Sequence, residues 1–287
     1  MYVHPKKALG QHFLKDLSIA QRIVETLRAT EIPLPNDIIG PLPVLELGPG
    51  TGVLTQFLLE LPHIDLRAIE IDRESVDYLL THFTALNGRL VQGDFLKIDP
   101  SALFSSPFWL IGNFPYNISS QIFFKILDER DRIPVVVCML QKEVAERIAA
   151  PPDSKTYGIL SVLLQTWYNI EYLFTVPQQV FSPPPKVKSA VIRLIRNNRN
   201  VLECPEALFK QVVKTTFNQR RKAIRNSIKP LTGATPLPGH PLLGRRPEQL
   251  GVVQFIELQL GCGALLCINR HHGVKVSGHI SRKDAGN

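Results

Sequence analysis

At 287 residues, with 44% hydrophobic residues and a net charge of +8, the chain can form one large domain or a large and a small one. No apolar run approaches the roughly 18–20 residues that span a bilayer, and the start, MYVHPKKALGQHFL, lacks the apolar block of a signal peptide. A cytoplasmic protein with no membrane partner is expected.

Cys138, Cys204, Cys262 and Cys267 form no C-x-x-C pair, so free thiols are expected. Cys262, Cys267, His271 and His272 lack knuckle spacing, and no metal site is expected. Charge is uneven: from Lys188 onward there are 17 Lys and Arg against 5 Asp and Glu, whereas the residues before it carry 16 against 20. Such a basic C-terminal part suits a polyanionic partner or a merely solvated surface, and charge alone does not choose.

In chain order, DLSIAQRIVETL places Ile19, Ile23 and Leu27 at helical spacing. Asp16 or Ser18 can cap this helix, and Ser18 with Gln21 matches a capping box. Strand patterns at 43–47, 66–71, 88–92, 108–112 and 134–140 then alternate with amphipathic stretches such as 53–61 and 119–128. That alternation predicts an α/β fold, a parallel sheet with helices on both faces. FSPPPKVKSAVIRLI (181–195) breaks the rhythm with a stiff triple proline leading into a last strand at 190–195. Residues 205–229 read as helical, 230–247 as a Pro/Gly-rich linker and 248–260 as a short helix. The expected division is a domain over 1–197, a smaller helical domain over 198–260, and an unassigned tail over 261–287.

VLELGPGTGVLT (44–55) reads as a strand, a glycine turn and a helix, with Gly48, Gly50 and Gly52 allowing close backbone approach to a ligand. Neither G-x-G-x-x-G nor G-K-[ST] is present, so a phosphate grip is not expected. Glu70 ends the second strand, where a carboxylate can accept both hydroxyls of a ribose. At the third strand end, Asp94 can accept from an exocyclic adenine amine and Phe95 can cover the ring. Glu46, Gly48, Gly50, Gly52, Glu70 and Asp94 together resemble the Rossmann-like, class I methyltransferases that use S-adenosyl-L-methionine. That cofactor has no phosphate to grip.

The fourth strand runs into WLIGNFPYN (109–117), and Asn113-Phe114-Pro115-Tyr116 resembles the [DNS]-P-P-[YF] motif of methyltransferases acting on exocyclic base amines. Such an amine is a poor nucleophile, because its lone pair is delocalised into the ring. Acceptors at Asn113 Oδ1 and a backbone carbonyl at 114 would favour a pyramidal nitrogen. Pro115 fixes the turn, and Tyr116 offers a face to a base that has left its stack.

KKALGQHFL, LGPGTGVLT, GNFPYNIS, LQKEVAERI, SKTYGILSV, VFSPPPKVKSAV and FNQRRKAIRNSI occur in the order found in the ribosomal RNA adenine dimethyltransferases. Over residues 4–260 the chain is most similar to the bacterial small-subunit (kasugamycin-resistance) branch. The resemblance implies dimethylation of the N6 amines of two adjacent adenines in the 3′-terminal hairpin of small-subunit (16S) ribosomal RNA. The implied partners are that RNA and the assembling small subunit, met by a monomer. His12, Leu14, Gly48, Glu70, Asp94 and Asn113 fall at the cofactor positions, with His12 replacing an asparagine common there. Phe181 falls where a second aromatic would sandwich the base opposite Tyr116.

On a continuous helix, Arg221, Lys222, Arg225 and Lys229 span an arc of about 100°, with Ile224 and Ile228 beside it. Next to a base-methylating pocket, this stripe is expected to contact RNA phosphates, with Lys6, Lys7 and Lys186 widening the groove. FNQRRKAIRNS argues against a large-subunit, macrolide-resistance enzyme and against a DNA methyltransferase. The intact Glu70, Asp94 and Asn113 argue against a binding-only relative.

Overall fold

The computed structural model describes residues 3–30, 40–232 and 239–260. Contacts divide the chain into two compact units, one of residues up to Pro151 with Thr156–Asn200, the other of Pro152–Lys155 with residues from Val201 on.

In the first unit, a short strand β1 (Phe13–Leu14) precedes α1 (Leu17–Arg28). Asp16 caps α1, its carboxylate accepting from Ser18 N at 2.9 Å and Ile19 N at 3.3 Å. Asp16 thus takes the capping role, and Ser18 donates its hydroxyl to the same carboxylate. Ala20, Ile23, Val24 and Leu27 form the buried face of the helix.

Alternation then proceeds through β2 (Leu42–Leu47), α2 (Thr55–Leu58), β3 (Ile64–Glu70), α3 (Arg73–His82), β4 (Leu90–Gln92) and β5 (Trp109–Asn113). It continues with α4 (Ser119–Asp128), β6 (Val135–Gln141), α5 (Lys142–Ala149), α6 (Ile159–Trp167), β7 (Tyr168–Val176), β8 (Phe181–Ser182) and β9 (Ser189–Arg196). The main sheet has the order β4-β3-β2-β5-β6-β9-β7. Its first five strands are parallel, and β9 runs antiparallel to both β6 and β7. The expected doubly wound sheet is present, although it is mixed rather than wholly parallel. Central strands are continuous apolar runs because helices cover both faces: Leu45, Leu110, Ile111, Val136 and Val137 are fully buried.

Strand β7 was not legible as a strand. It lies at the sheet edge, and a register shift between Tyr172 and Phe174 breaks its alternation of exposed and covered residues. The helical stretch expected at 53–61 contracts to the four residues of α2.

One glycine decides how closely the central strands meet. Gly112 pairs with Leu47, and a Cβ on it would run into the Leu47 carbonyl oxygen. A bare backbone there lets the ends of β2 and β5 lie together and delivers Asn113 beside the Gly48 turn.

In the second unit, α7 (Glu206–Phe217) stops where a longer helix was expected. Asn218 caps its C-terminus, its N–H donating to Lys214 O at 3.0 Å. Arg220 turns to Ser154 O at 3.2 Å and to the Glu248 carboxylate at 3.8 Å. Two single turns follow, α8 (Ile224–Ser227) and α9 (Lys229–Thr232), and residues 252–260 are helical. Phe209, Val212, Val213, Ile224, Ile228 and Phe255 form the core of this unit. The tail 261–287, with Cys262, Cys267, His271 and His272, lies outside the described residues.

Replacing Gly112 with alanine forces the Leu47 backbone to move. Unfolding in urea should show a loss of about 1–3 kcal/mol, the usual cost of overpacking a close contact. Unchanged stability would mean that the strands can separate without penalty.

Candidate functional site

A cleft at the C-terminal ends of β2, β3, β4 and β5 encloses about 1010 Å³ including its open mouth. Ligands bind at this end in open α/β sheets, because loops and helix starts leave backbone groups free there. Each strand end supplies part of the wall: Glu46, Gly48 and Gly50 from β2, Glu70 and Ile71 from β3, Asp94 and Phe95 after β4, and Asn113, Pro115 and Tyr116 after β5. The N-terminal segment Leu9–Leu14, including His12 and Leu14, closes the remaining side.

Glu70 is 4% exposed, and both of its carboxylate oxygens are engaged. Oε2 accepts from Gly50 N at 3.0 Å and Oε1 from Asp72 N at 2.9 Å. Burial pushes its carboxyl above the ordinary value, while these two donors pull the other way. Each oxygen keeps a further lone pair for a hydroxyl. Gly50 can serve this bond because it takes a left-handed φ of 58°, with the Phe13 ring packed where a Cβ would stand.

Deeper in the cleft, Glu46 Oε2 accepts from the Thr55 hydroxyl at 2.7 Å. Its Oε1 is buried without a partner. Burial pushes this carboxyl up to about 8, the Thr55 hydroxyl opposes the rise and the Glu70 charge adds to it. Asp94 forms a turn, Oδ1 accepting from Leu96 N at 2.9 Å, while Oδ2 meets the exposed Lys97 ammonium at 3.6 Å.

The Asn113 turn is held from several sides. Phe114 N donates to Met139 O at 2.8 Å, and the Phe114 ring is buried. Asn113 Nδ2 donates to His12 O at 3.1 Å, which leaves Oδ1 buried and unpartnered. The Tyr116 hydroxyl bonds Ser189 Oγ. His12 lies against Tyr116 with ring centroids 5.4 Å apart and planes at 29°. His12 Nδ1 is 2.8 Å from Pro183 O, so this nitrogen carries the proton.

The cleft therefore gathers His12, Leu14, Gly48, Gly50, Glu70, Asp94, Phe95, Asn113, Pro115 and Tyr116. Phe181 is placed elsewhere. Its ring is fully buried in the core and its backbone pairs with Leu14, so it does not line the cleft opposite Tyr116. The Lys6 ammonium pairs with Asp72 and with Glu74 at 3.5 Å. Arg221, Lys222, Arg225 and Lys229 are all exposed. They do not share one helix, however: the first two lie in the turn after α7, the others on α8 and α9. Ile71 was missed. It is 49% exposed on the cleft wall directly after Glu70, and an apolar residue just past the strand-ending acid was its signal.

Among the described residues, Glu46, Glu70 and Asp94 and no lysine or arginine line the cleft. Such a wall rejects phosphates and suits a ligand bearing positive charge.

This sheet with its acceptor-lined C-terminal cleft defines a Rossmann-like methyltransferase fold. A solved dimethyladenosine transferase from Plasmodium falciparum superposes with a TM-score of 0.68 at 23% identity, covering 91% of this chain and 98% of that one. The 23S rRNA methyltransferase ErmE superposes at 0.61 with 26% identity, covering 85% and 98%. The family model described as ribosomal RNA adenine dimethylase matches residues 3–237. A "Ribosomal RNA small subunit methyltransferase A" of Parabacteroides distasonis is 60% identical, covering 97% of this chain and 98% of the relative. A protein of the same name from Porphyromonas gingivalis is 57% identical, covering 91% and 98%. The chain belongs to the ribosomal RNA adenine dimethylase family.

Glu46 gives this site a pH signature. Unfolded, its carboxyl ionises near 4.5, but folded only at about 8. The unfolded state thus holds fewer protons between those values, and this group's contribution to stability falls as pH rises through them. Glu46→Gln removes that slope. Melting temperatures taken across this window should show the variant gaining steadily on the wild type, and a constant gap would show that Glu46 does not titrate there.

Proposed function

We propose that this chain dimethylates the N6 amines of two adjacent adenines in the 3′-terminal hairpin of 16S ribosomal RNA, acting as a cytoplasmic monomer during small-subunit assembly. The observation that carries the chemistry is the buried, unpartnered Asn113 Oδ1 at the mouth-side turn of an acceptor-lined cleft. The small-subunit assignment rests on relatives at 57–60% identity that carry that name.

S-adenosyl-L-methionine fits the cleft by charge: its net positive charge suits a wall with Glu70 and Asp94 and no lysine or arginine, and it brings no phosphate needing a basic grip. Glu70 would accept from the ribose, Asp94 Oδ2 from the adenine amine, and Ile71 and Phe95 would flank the ring. Gly48, Gly50, Leu14 and His12 would border the methionine part. Bound there, the cofactor supplies an electrophilic methyl group.

The chain's own work is to prepare the nucleophile. Asn113 Oδ1 accepts one N–H of the target amine, which favours a pyramidal nitrogen with a localised lone pair. Pro115 stiffens the turn, and Tyr116 stacks the flipped base. No general base is needed, because the methylated ammonium is acidic enough to lose its proton to water. In the second unit, Arg221, Lys222, Arg225 and Lys229 contact RNA phosphates as separate exposed cations.

Asn113→Ala should lower the single-turnover rate at saturating cofactor by about 10²–10³, the effect of losing one preorganised partner of a transition state. RNA binding should change little. A normal rate would remove Asn113 from the chemistry.

Changing Arg221, Lys222 and Arg225 together to glutamine should flatten the salt dependence of RNA binding. Each lost phosphate contact lowers the log–log slope by somewhat under one unit. The readout is affinity at several salt concentrations, and an unchanged slope would mean that these cations only face water.

A further inference from the structure

Lys125 lies on α4, the helix that follows the Asn113–Tyr116 turn, and it is half-buried. A lysine near a surface ordinarily extends its ammonium into water. This one turns back onto the loop after β4, donating to Ile98 O at 2.6 Å and to Leu96 O at 3.5 Å. Its Nζ stands 5.6 Å from the centroid of the Phe95 ring. Leu96 is thereby gripped at both ends, because its N–H donates to Asp94 Oδ1 at 2.9 Å. The Asp94 turn also closes through backbone bonds from Lys97 N at 2.9 Å and Ile98 N at 3.1 Å. Among the described residues, Lys125 is the side chain that ties these carbonyls to a helix.

The consequence concerns where Asp94 aims. Because Oδ1 accepts from Leu96 N, the plane and direction of the Asp94 carboxylate, and so the aim of its free lone pairs, depend on the path of residues 94–98. We propose that Lys125 is a positioning residue for the adenine end of the cofactor site. By holding the Leu96 and Ile98 carbonyls it fixes the aim of the Asp94 carboxylate, and so sets the preference for a purine carrying an amine at C6 over one carrying an oxygen. This rests on the reading of the cleft as an S-adenosylmethionine site. A carboxylate facing a 6-oxo group sets acceptor against acceptor, so a well-aimed Asp94 rejects the deaminated ring. A loosened loop lets the carboxylate swing aside and tolerate it.

The test is calorimetric binding of S-adenosylhomocysteine and its deaminated analogue, S-inosylhomocysteine. The wild type should prefer the adenosyl ligand, and Asp94→Ala should lose that preference. Lys125→Met should reduce the ratio of the two affinities about three- to tenfold, while Lys125→Arg, which can still donate to both carbonyls, should keep it. A purely structural lysine would weaken both ligands equally and leave the ratio intact, and that result overturns the proposal. If Lys125→Met does not fold, Lys125→Ala, which has no donor, carries the same test: a lowered ratio supports the proposal and a wild-type ratio overturns it. A wild type with no preference would sink the Asp94 assignment, and the role of Lys125 with it. A preference lost in Asp94→Ala but kept in Lys125→Met would sink the role of Lys125 alone.

Discussion

The two bonds accepted by the Glu70 carboxylate hold the site together. One oxygen takes Gly50 N and the other Asp72 N, joining the turn after β2 to the exit of β3. A buried carboxylate with two backbone donors is stable where an unpaired one would not be. The bond to Gly50 requires the left-handed backbone of that residue, and Phe13 packs where any side chain would stand. Asp72, whose N–H completes the pair, also receives Lys6 and Gln11 from the N-terminal segment. Burial opposes its ionisation, yet these donors outweigh that and hold its carboxyl below the ordinary value. A single acidic strand end thus organises the glycine turn, and its neighbour clasps the segment that closes the cleft.

The same economy of donors explains the character of the cleft. Among the described residues, Glu46, Glu70 and Asp94 line the cleft and no lysine or arginine does. Burial resists charge on Glu46 and pushes its carboxyl up to about 8, with the Glu70 charge a smaller contribution. A bound cation relieves that resistance, and a bound anion aggravates it. Selectivity for charge is therefore built into the lining of the site, before any hydrogen bond to a particular ligand is made.

Strands β2, β5 and β6 were legible because they are buried on both faces and read as apolar runs between helical patterns. The cleft residues were legible for a related reason: in a parallel sheet, the chemistry must stand at strand ends. Elsewhere, long-range packing overrode local pattern. Phe181 precedes a triple proline and reads as a loop aromatic, yet pairing with Leu14 draws it into the core. The run 218–229 has helical periodicity, but Arg220 is pulled to Ser154 and Glu248, partners far away in sequence. Strand β7 loses its alternation at a bulge that depends on its pairing with β9. Ile71 carried a local signal, and its meaning appears only once Glu70 beside it is seen to face a cleft.

An unpartnered acceptor is costly to bury, by about 1–3 kcal/mol for a neutral group, so the folded chain must prevent Asn113 from turning its amide to satisfy Oδ1. His12 does this with its backbone. The carbonyl of His12 can only accept, and it faces Asn113 Nδ2 at 3.1 Å. Rotating the amide by half a turn would set Oδ1 against that carbonyl, two acceptors in contact, and would lose the bond as well. The imidazole of the same residue is tied to Pro183 O, and β1 just beyond it is paired to β8. The N-terminal segment is therefore more than a cover. It is the element that decides which atom of Asn113 faces the cleft, and the order of this segment and the aim of the acceptor are one property.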